Sequence, residues 1–410
     1  MFDKIVNGKH KHGFAVKRHL IGIGGVGMSA LATALVRLGD EVTGSDRTLG
    51  TPNVKFLESI GIRVFPDDGS GIGPDVSEVV VSTAIEDTNP GLIKARSLGI
   101  PVVHRADALS RALSGYSLVA VCGTCGKSTV TAMLGHVLAE CGLDPMCVNG
   151  ANVPGWEGAV RFGRGKYAVA EVDESDKSLV AFDPYAAVVT NASADHYSKE
   201  EMDEVFDAFA ARCRGPVVDG RKRCGEVETS MPGRHNRMNA FLALQMAVAL
   251  GCEESAARAA LKTFRGVERR LQPHGSRVYD DYAHNPEKLR AMLTTIAEAH
   301  PGGTCAVWRP HGYAPLRKMM DALAAMFNET LGERDMLLLL PVYDAGGTTD
   351  RSVNSDALAA LVPRSAVVAD ADAACAWIAR HADKFAAFAV CGARDPGLPA
   401  LAERIAETVK

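Results

Sequence analysis

Short apolar runs rich in β-branched residues alternate along this chain with longer stretches whose apolar positions recur at helical spacing. His19–Ile23, Glu41–Ser45, Arg63–Phe65, Glu78–Ser82 and Pro101–Val103 read as strands. Between the first two, Val26–Leu38 sets Val26, Leu31, Leu35 and Leu38 near one face and reads as a helix. This is the βαβ rhythm of a parallel, doubly wound sheet. A second block of the same kind starts at Ser117–Val121 and continues through Tyr167–Ala170 and Ala186–Thr190. A third starts near Arg277–Tyr279, with Met336–Leu340 and Phe388–Cys391 as later strands. No internal repeat or low-complexity tract interrupts them. The expectation is an α/β protein of three domains, 1–114, 115–267 and 268–410, with boundaries near Ser114 and Val267.

Composition narrows the class. At 410 residues the chain exceeds one ordinary core, and 47% apolar with 23% charged residues is the balance of a globular protein. A net charge of −4 gives no electrostatic case for nucleic acid or anionic lipid. No apolar run reaches membrane-spanning length, and Met1–Lys17 is polar and basic without a signal-peptide core. A cytoplasmic enzyme without membrane insertion is expected. The ten cysteines are scattered, and most read as reduced, buried small hydrophobes. Cys122 and Cys125 form a C-x-x-C, but no second pair matches it and another motif claims the segment.

Two glycine clusters carry candidate chemistry. Gly22-Ile23-Gly24-Gly25-Val26-Gly27-Met28 follows a strand and opens a helix, which suits a diphosphate at a helix N-terminus. Asp46 lies where a dinucleotide fold would place its ribose carboxylate. The second cluster, Val121-Cys122-Gly123-Thr124-Cys125-Gly126-Lys127-Ser128-Thr129, has the same strand–loop–helix context. Gly123 and Gly126 let backbone N–H groups turn toward phosphate oxygens, Lys127 adds a point charge, and the Ser128 hydroxyl suits Mg2+. A full Walker A would need glycine at Val121, so this is a shorter relative of that loop. Downstream, Glu171-Val172-Asp173-Glu174-Ser175-Asp176 and Asn191-Ala192-Ser193-Ala194-Asp195-His196 sit at expected strand ends. Carboxylates crowded there call for a cation, and open α/β sheets bind ligands at that edge.

These residues, taken in order, resemble the Mur ligase family over nearly the whole chain, and most closely the branch that joins L-alanine to UDP-N-acetylmuramate. The likeness rests on Gly22-x-Gly24-Gly25-x-Gly27-Met28, on Ser82-Thr83-Ala84-Ile85 with Asn89-Pro90, and on Gly123-Thr124-x-Gly126-Lys127. It continues through Glu171-x-Asp173-Glu174-Ser175-Asp176, Thr190-Asn191 with Asp195-His196, and Pro232-Gly233-Arg234-His235-Asn236-x-x-Asn239. Arg269-Arg270, Asp280-Asp281-Tyr282-Ala283-His284 and Val342-Tyr343-x-Ala345-Gly346 complete it.

The resemblance implies a Rossmann-like UDP-sugar domain, a central P-loop-type ATP domain and a Rossmann-like C-terminal domain for the amino acid. It implies an ATP- and Mg2+-dependent ligase of peptidoglycan precursor synthesis that works through an acyl phosphate, as a monomer or weak homodimer. By that likeness Gly22, Gly24, Gly25, Gly27, Met28, Asp46 and Ser82 face the UDP-sugar. Gly123, Thr124, Gly126, Lys127, Ser128, Thr129, Asn236 and Asn239 hold ATP. Ser128, Glu171 and His196 hold metal, Arg270 clamps the γ-phosphate, Asp281 meets the ribose, and His284 and Arg317 face the amino acid. Lys127, Glu171, His196 and Arg270 form the catalytic set.

The chain also departs from the family. Cys125 stands where the loop usually has His, and Asp68 where a His often lies near the UDP pocket. The interval from His196 to His235 is short, with Arg212–Glu228 as the expected bridge of a trimmed central domain. The Pro310-His311-Gly312-Tyr313-Ala314-Pro315 segment has Gly312 and Pro315 where the L-alanine branch has two arginines. Loss of two cationic donors weakens carboxylate recognition, with Arg309 or Arg317 as candidate substitutes. A different amine, such as a murein tripeptide, or a different UDP-sugar stays open. Restoring arginine at position 312 is the corresponding test of L-alanine use. An NAD(P)-dependent oxidoreductase would use only the first glycine cluster and leaves Gly123–Ser128, Glu171 and Arg270 without a role. A silent nucleotide-binding regulator would have no need of the γ-phosphate groups.

Overall fold

The computed structural model describes residues 16–173, 178–192, 199–344 and 350–410. They form three sheets. The first contains β1 (Lys17–Ile21), β2 (Glu41–Asp46), β3 (Arg63–Pro66), β4 (Glu78–Val81) and β5 (Val102–His104), all parallel, in the order β3-β2-β1-β4-β5. Its helices are α1 (Val26–Arg37), α2 (Pro52–Ser59), α3 (Pro90–Ser97) and α4 (Arg105–Ala112). Local chemistry sets where two of them begin. The Thr51 hydroxyl accepts the Val54 N–H at the start of α2, and the Asn89 side chain accepts that of Leu92 at the start of α3. Proline follows each cap, where its missing N–H costs no helix bond.

The second sheet contains β6 (Ser117–Cys122), β7 (Met146–Val148), β8 (Val160–Arg161), β9 (Tyr167–Glu171), β10 (Ala186–Val189) and β11 (Val217–Asp219). Their order is β11-β10-β6-β9-β7-β8, parallel except for the β7–β8 pair. With it come α5 (Lys127–Glu140), α6 (Lys199–Ala211), α7 (Arg234–Ala249) and α8 (Glu254–Thr263). Leu20, Leu31 and Leu35 of the first sheet's layer belong to one apolar core with Leu118, Met146 and Val160 of the second. The described chain divides into two compact units. One runs to Ser230 and includes Arg237–Val267; the other is Met231–Asn236 with Glu268–Lys410.

The second unit holds β12 (Gln272–Pro273), β13 (Val278–Asp281), β14 (Thr304–Trp308), β15 (Met336–Leu339), β16 (Ser365–Val367) and β17 (Ala387–Cys391). The order is β12-β13-β17-β14-β15-β16, with only the β12–β13 pair antiparallel. Helices α9 (Pro286–Ala299), α10 (Tyr313–Thr330), α11 (Ser355–Ala359), α12 (Ala371–His381) and α13 (Leu398–Thr408) connect the strands. No described helix is long and apolar enough to cross a membrane. None of the ten cysteines forms a disulfide.

Several expectations need correction. Strand β14 was not recognised, although it lies inside the third sheet with all five residues buried. Cys305 and Ala306 carry little β signal, and an apolar run buried on both faces has no period to read. The Arg212–Glu228 bridge contains β11, which extends the second sheet beside β10. Arg221 holds it there through ion pairs to Asp203, Asp207 and Asp219 at 3.0, 2.7 and 2.7 Å. Val26, expected on the buried face of α1, is 37% exposed at the helix start.

One buried group makes the first layer sensitive to acid. His19 on β1 is fully buried, its ring nitrogens 2.9 Å from the Thr43 hydroxyl and 3.2 Å from that of Ser45. Burial pushes its pKa down to about 4. The unfolded chain therefore takes up this proton before the folded one does. Its stability contribution is complete above the unfolded value of 6.5 and is lost as pH falls through the window toward 4. At pH 5 the loss is about 2 kcal/mol. Urea unfolding at pH 7 and pH 5 should show this difference in the wild type and a smaller one in His19→Asn. Equal pH dependence in both proteins would refute it.

Candidate functional site

The crevice of the second sheet lies where β6, flanked by β9 and β10, delivers its C-terminal end to a glycine loop. Gly123 and Gly126 have φ of +125° and +82°, and α5 opens at Lys127. A Cβ on Gly126 would lie 2.6 Å from the Asn239 amide oxygen, and one on Gly123 would enter the space of the Thr190 hydroxyl. Both positions thus need glycine for conformation and for room. The loop is latched from β10. The Thr124 hydroxyl and the Cys125 N–H donate to the Asn191 Oδ1 at 2.6 and 3.0 Å. The Cys125 carbonyl accepts from the Thr190 hydroxyl at 2.6 Å and from the Asn191 Nδ2 at 2.9 Å. The bonds from Thr190 and Asn191 meet residue 125 at its backbone, so cysteine there leaves them intact. Thr124, Ser128 and Thr129 are buried at the helix start. Lys127 Nζ lies 3.8 Å from an Asp173 carboxylate oxygen.

Glu171 ends β9 and pairs in register with Val121 of β6, so its carboxylate stands beside the loop. It accepts the Gly150 N–H at 2.7 Å. The Ser128 hydroxyl and the Glu171 carboxylate are hard oxygen donors, the set that suits Mg2+. The loop, with no room for a side chain at Gly123 or Gly126, suits a nucleotide phosphate. His196, Asp195, Glu174, Ser175 and Asp176 lie outside the described residues.

At the first glycine loop the structure reassigns several residues. The Asp46 carboxylate braces the loop itself, accepting the Gly24 N–H at 2.8 Å and the Thr48 N–H at 3.0 Å. Met28 is 4% exposed and belongs to the α1 core, so it packs and does not face a ligand. Ile85, in the turn closed by its N–H on the Ser82 carbonyl, lies against Gly22. Arg105, absent from the sequence-based set, lies over the helix start, where a Cβ on Gly27 would be 2.8 Å from its guanidinium. It begins α4 directly after a strand end, and that placement was the readable signal.

In the second unit, Arg270 sits between two residues in the left-handed region, Arg269 at φ +57° and Leu271 at φ +48°. Arg269 pairs with Asp280 at 3.2 Å and donates to the Gly392 carbonyl at 2.7 Å. Both guanidinium groups lie over the Tyr282 ring, at 5.2 and 5.1 Å. Asp281 closes the turn: its two oxygens accept the Leu271 and Ala283 N–H groups, each at 2.7 Å. Burial raises its pKa, and burial lifts that of Asp280 to about 6. His284 Nδ1–H donates to the Tyr282 carbonyl at 2.9 Å, and burial lowers its pKa to about 3, so the ring is neutral. His311 meets it edge-on at 4.8 Å. Asn236 is buried and donates to the Pro232 carbonyl at 2.7 Å.

Neither candidate substitute for the missing arginines is uncommitted. Arg317 pairs with the Asp350 carboxylate and donates to the Asp350 carbonyl, both at 2.8 Å. Arg309 pairs with Asp395 at 2.7 Å and lies 5.6 Å over the Tyr343 ring. Gly312 has φ +153°, and a Cβ there would touch Pro315 at 3.4 Å, so arginine at 312 alone is strained.

Fold and loop define a class: an α/β protein of three mostly parallel sheets with a P-loop-type strand–loop–helix in the second. Residues 17–117 match the catalytic domain of the Mur ligase family, and residues 267–394 match the Mur ligase glutamate ligase domain. The chain is 37% identical to the UDP-N-acetylmuramate–L-alanine ligase of Rubrobacter xylanophilus over 385 residues, covering 81% of this chain and 85% of that protein. It is 36% identical to the enzyme of the same name from Paenarthrobacter aurescens, covering 80% and 83%. The crystallised UDP-N-acetylmuramate–alanine ligase of Thermotoga maritima superposes with a TM-score of 0.78 at 25% identity, covering 95% of this chain and 98% of that one. The chain belongs to the Mur ligase family.

Proposed function

We propose that this chain is an ATP-dependent ligase that joins L-alanine to UDP-N-acetylmuramate through an acyl phosphate. The observation that carries the reading is the latched loop, with Lys127, Ser128 and Glu171 gathered at one end of the second sheet. The relatives, similar over most of the chain, supply the substrate pair.

The residues divide the work by charge. The loop N–H groups and Lys127 hold the triphosphate and draw electron density off the γ-phosphate. Ser128 and Glu171, with His196, would hold Mg2+, which supplies charge neutralisation between the two anionic reactants. By the family likeness, Arg270 would offer a further cation to the γ-phosphate. The sugar carboxylate attacks γ-phosphorus and ADP leaves, giving the acyl phosphate; the neutral amine then attacks the acyl carbon, phosphate leaves, and the proton lost by nitrogen passes to solvent.

At the first glycine loop, Arg105 would meet the diphosphate of the UDP-sugar. Arg105→Ala should raise the KM for UDP-sugar about tenfold or more with kcat little changed. An unchanged KM would remove Arg105 from that subsite.

A second reading, a different amine, is favoured by Gly312 and Pro315 together with the commitments of Arg309 and Arg317. Phosphate release with UDP-N-acetylmuramate and single amines, with mass spectrometry of the products, decides between them. An amide formed with L-alanine, in preference to L-serine, glycine or the L-Ala-D-Glu-meso-diaminopimelate tripeptide, upholds the first reading. A product with another amine alone replaces it. Because the L-alanine branch carries arginine at both places, the informative variant is the double Gly312→Arg/Pro315→Arg. It should lower the KM for L-alanine, and a higher or unchanged KM in folded protein would count against L-alanine as the acceptor.

A further inference from the structure

The turn after β7 holds a buried polar atom with no protein partner, next to the acidic end of β9. Asn149 is 2% exposed. Its backbone N–H donates to the Ala159 carbonyl and its Nδ2 to the Ala151 carbonyl, each at 2.9 Å. Its side-chain Oδ1 is buried and receives no hydrogen bond. Flipping the amide does not solve this, because it would set oxygen against the Ala151 carbonyl oxygen. Folded proteins leave few buried acceptors without a donor, and each one calls for a bound group that supplies it.

The surroundings say which group. Parallel pairing of β7 with β9 sets Val148 opposite Ala170, so the chain passes Asn149 and Gly150 alongside Glu171. Gly150 donates its N–H to Glu171 Oε2 at 2.7 Å, and a Cβ at that position would fall within the carboxylate. Glycine therefore permits the turn to sit directly on Glu171, with the neutral acceptor of Asn149 one residue away. Hydrated Mg2+ keeps several of its waters, and those waters are strong donors. An amide oxygen can take such a bond without adding another negative charge beside Glu171, Asp173 and a triphosphate.

We infer that Asn149 is a positioning residue for a divalent cation at Glu171: its Oδ1 accepts a hydrogen bond from a water carried by that cation. This rests on Glu171 as a metal ligand and not on the identity of the sugar or amine.

The test is direct metal binding to the full chain. Mn2+ is titrated in the presence of a non-hydrolysable ATP analogue, with the free-ion electron paramagnetic resonance signal as readout. Wild type, Asn149→Ala, Asn149→Leu and Glu171→Gln are compared, each with a thermal melt. Glu171→Gln should lose one class of bound Mn2+. Asn149→Ala should weaken that same class about tenfold or more. Asn149→Leu, close in volume and without the acceptor, should weaken it to a similar degree. Wild-type Mn2+ affinity in Asn149→Ala with a lowered melting temperature would identify a structural water only and overturn the inference. Should Asn149→Ala fail to fold, the Leu variant decides: wild-type affinity overturns it. Undiminished binding in Glu171→Gln overturns it as well, by removing the cation from Glu171. No UDP-sugar or amine is present, so a failure here leaves the proposed reaction to its own assay.

Discussion

Lys127→Ala should abolish ATP-dependent turnover, by about 10³-fold or more, in a protein that still folds. Lys127 opens α5 at the point where the loop turns its backbone toward the crevice, and its ammonium is the cation delivered by the loop itself. Its ion pair to Asp173 is long, at 3.8 Å, and the carboxylate side is partly exposed. Removing it should therefore change the melting temperature little. Substrate-dependent phosphate release and a thermal melt separate the two effects. A rate near wild type would end the assignment of this loop to the γ-phosphate. An unfolded variant would show that Lys127 supports the structure and leave its chemistry to Lys127→Arg, which keeps the charge but not the compact ammonium.

The second large effect should come from a residue that carries no charge. Asn191→Ala removes the acceptor of the Thr124 hydroxyl and the Cys125 N–H, together with the Nδ2 donor to the Cys125 carbonyl. Of these bonds the one from the Thr190 hydroxyl to the Cys125 carbonyl remains, with the Thr124 N–H on the Asn191 carbonyl at 3.3 Å. Misplacement of this order costs about 10²-fold in a site that works by orientation. The KM for ATP should rise about 10- to 100-fold with the overall fold retained. Initial rates over a range of ATP concentrations give the answer, and a KM within about twofold of wild type would mean that the glycines shape the loop without help.

Cys125 illustrates how the two levels of description meet. The sequence presents it as a departure in the most informative motif of the chain. The structure explains why the departure is tolerated, because the bonds from Thr190 and Asn191 engage the backbone of residue 125. Gly312 shows the opposite case. Its replacement by arginine reads as a simple restoration in sequence, yet φ of +153° and contact with Pro315 make it a change of backbone as well.

The sequence by itself determined the α/β class, the order of most strands, and the position of both glycine loops at strand-to-helix turns. These are local properties: side-chain period, β-branching, glycine and proline act within a few residues. It also singled out Lys127, Ser128 and Glu171 as candidates, because each stands in or next to such a turn. Tertiary structure alone decided that β14 lies inside the third sheet and that Asp46 braces its own loop. It alone committed Arg309 and Arg317 to Asp395 and Asp350, set Arg105 against Gly27, and closed Asn191 over Cys125. The reason is pairing register. Parallel strands bring their C-terminal ends to one edge, so residues 66 positions apart become hydrogen-bond partners, and no pattern within a short stretch of sequence records that distance.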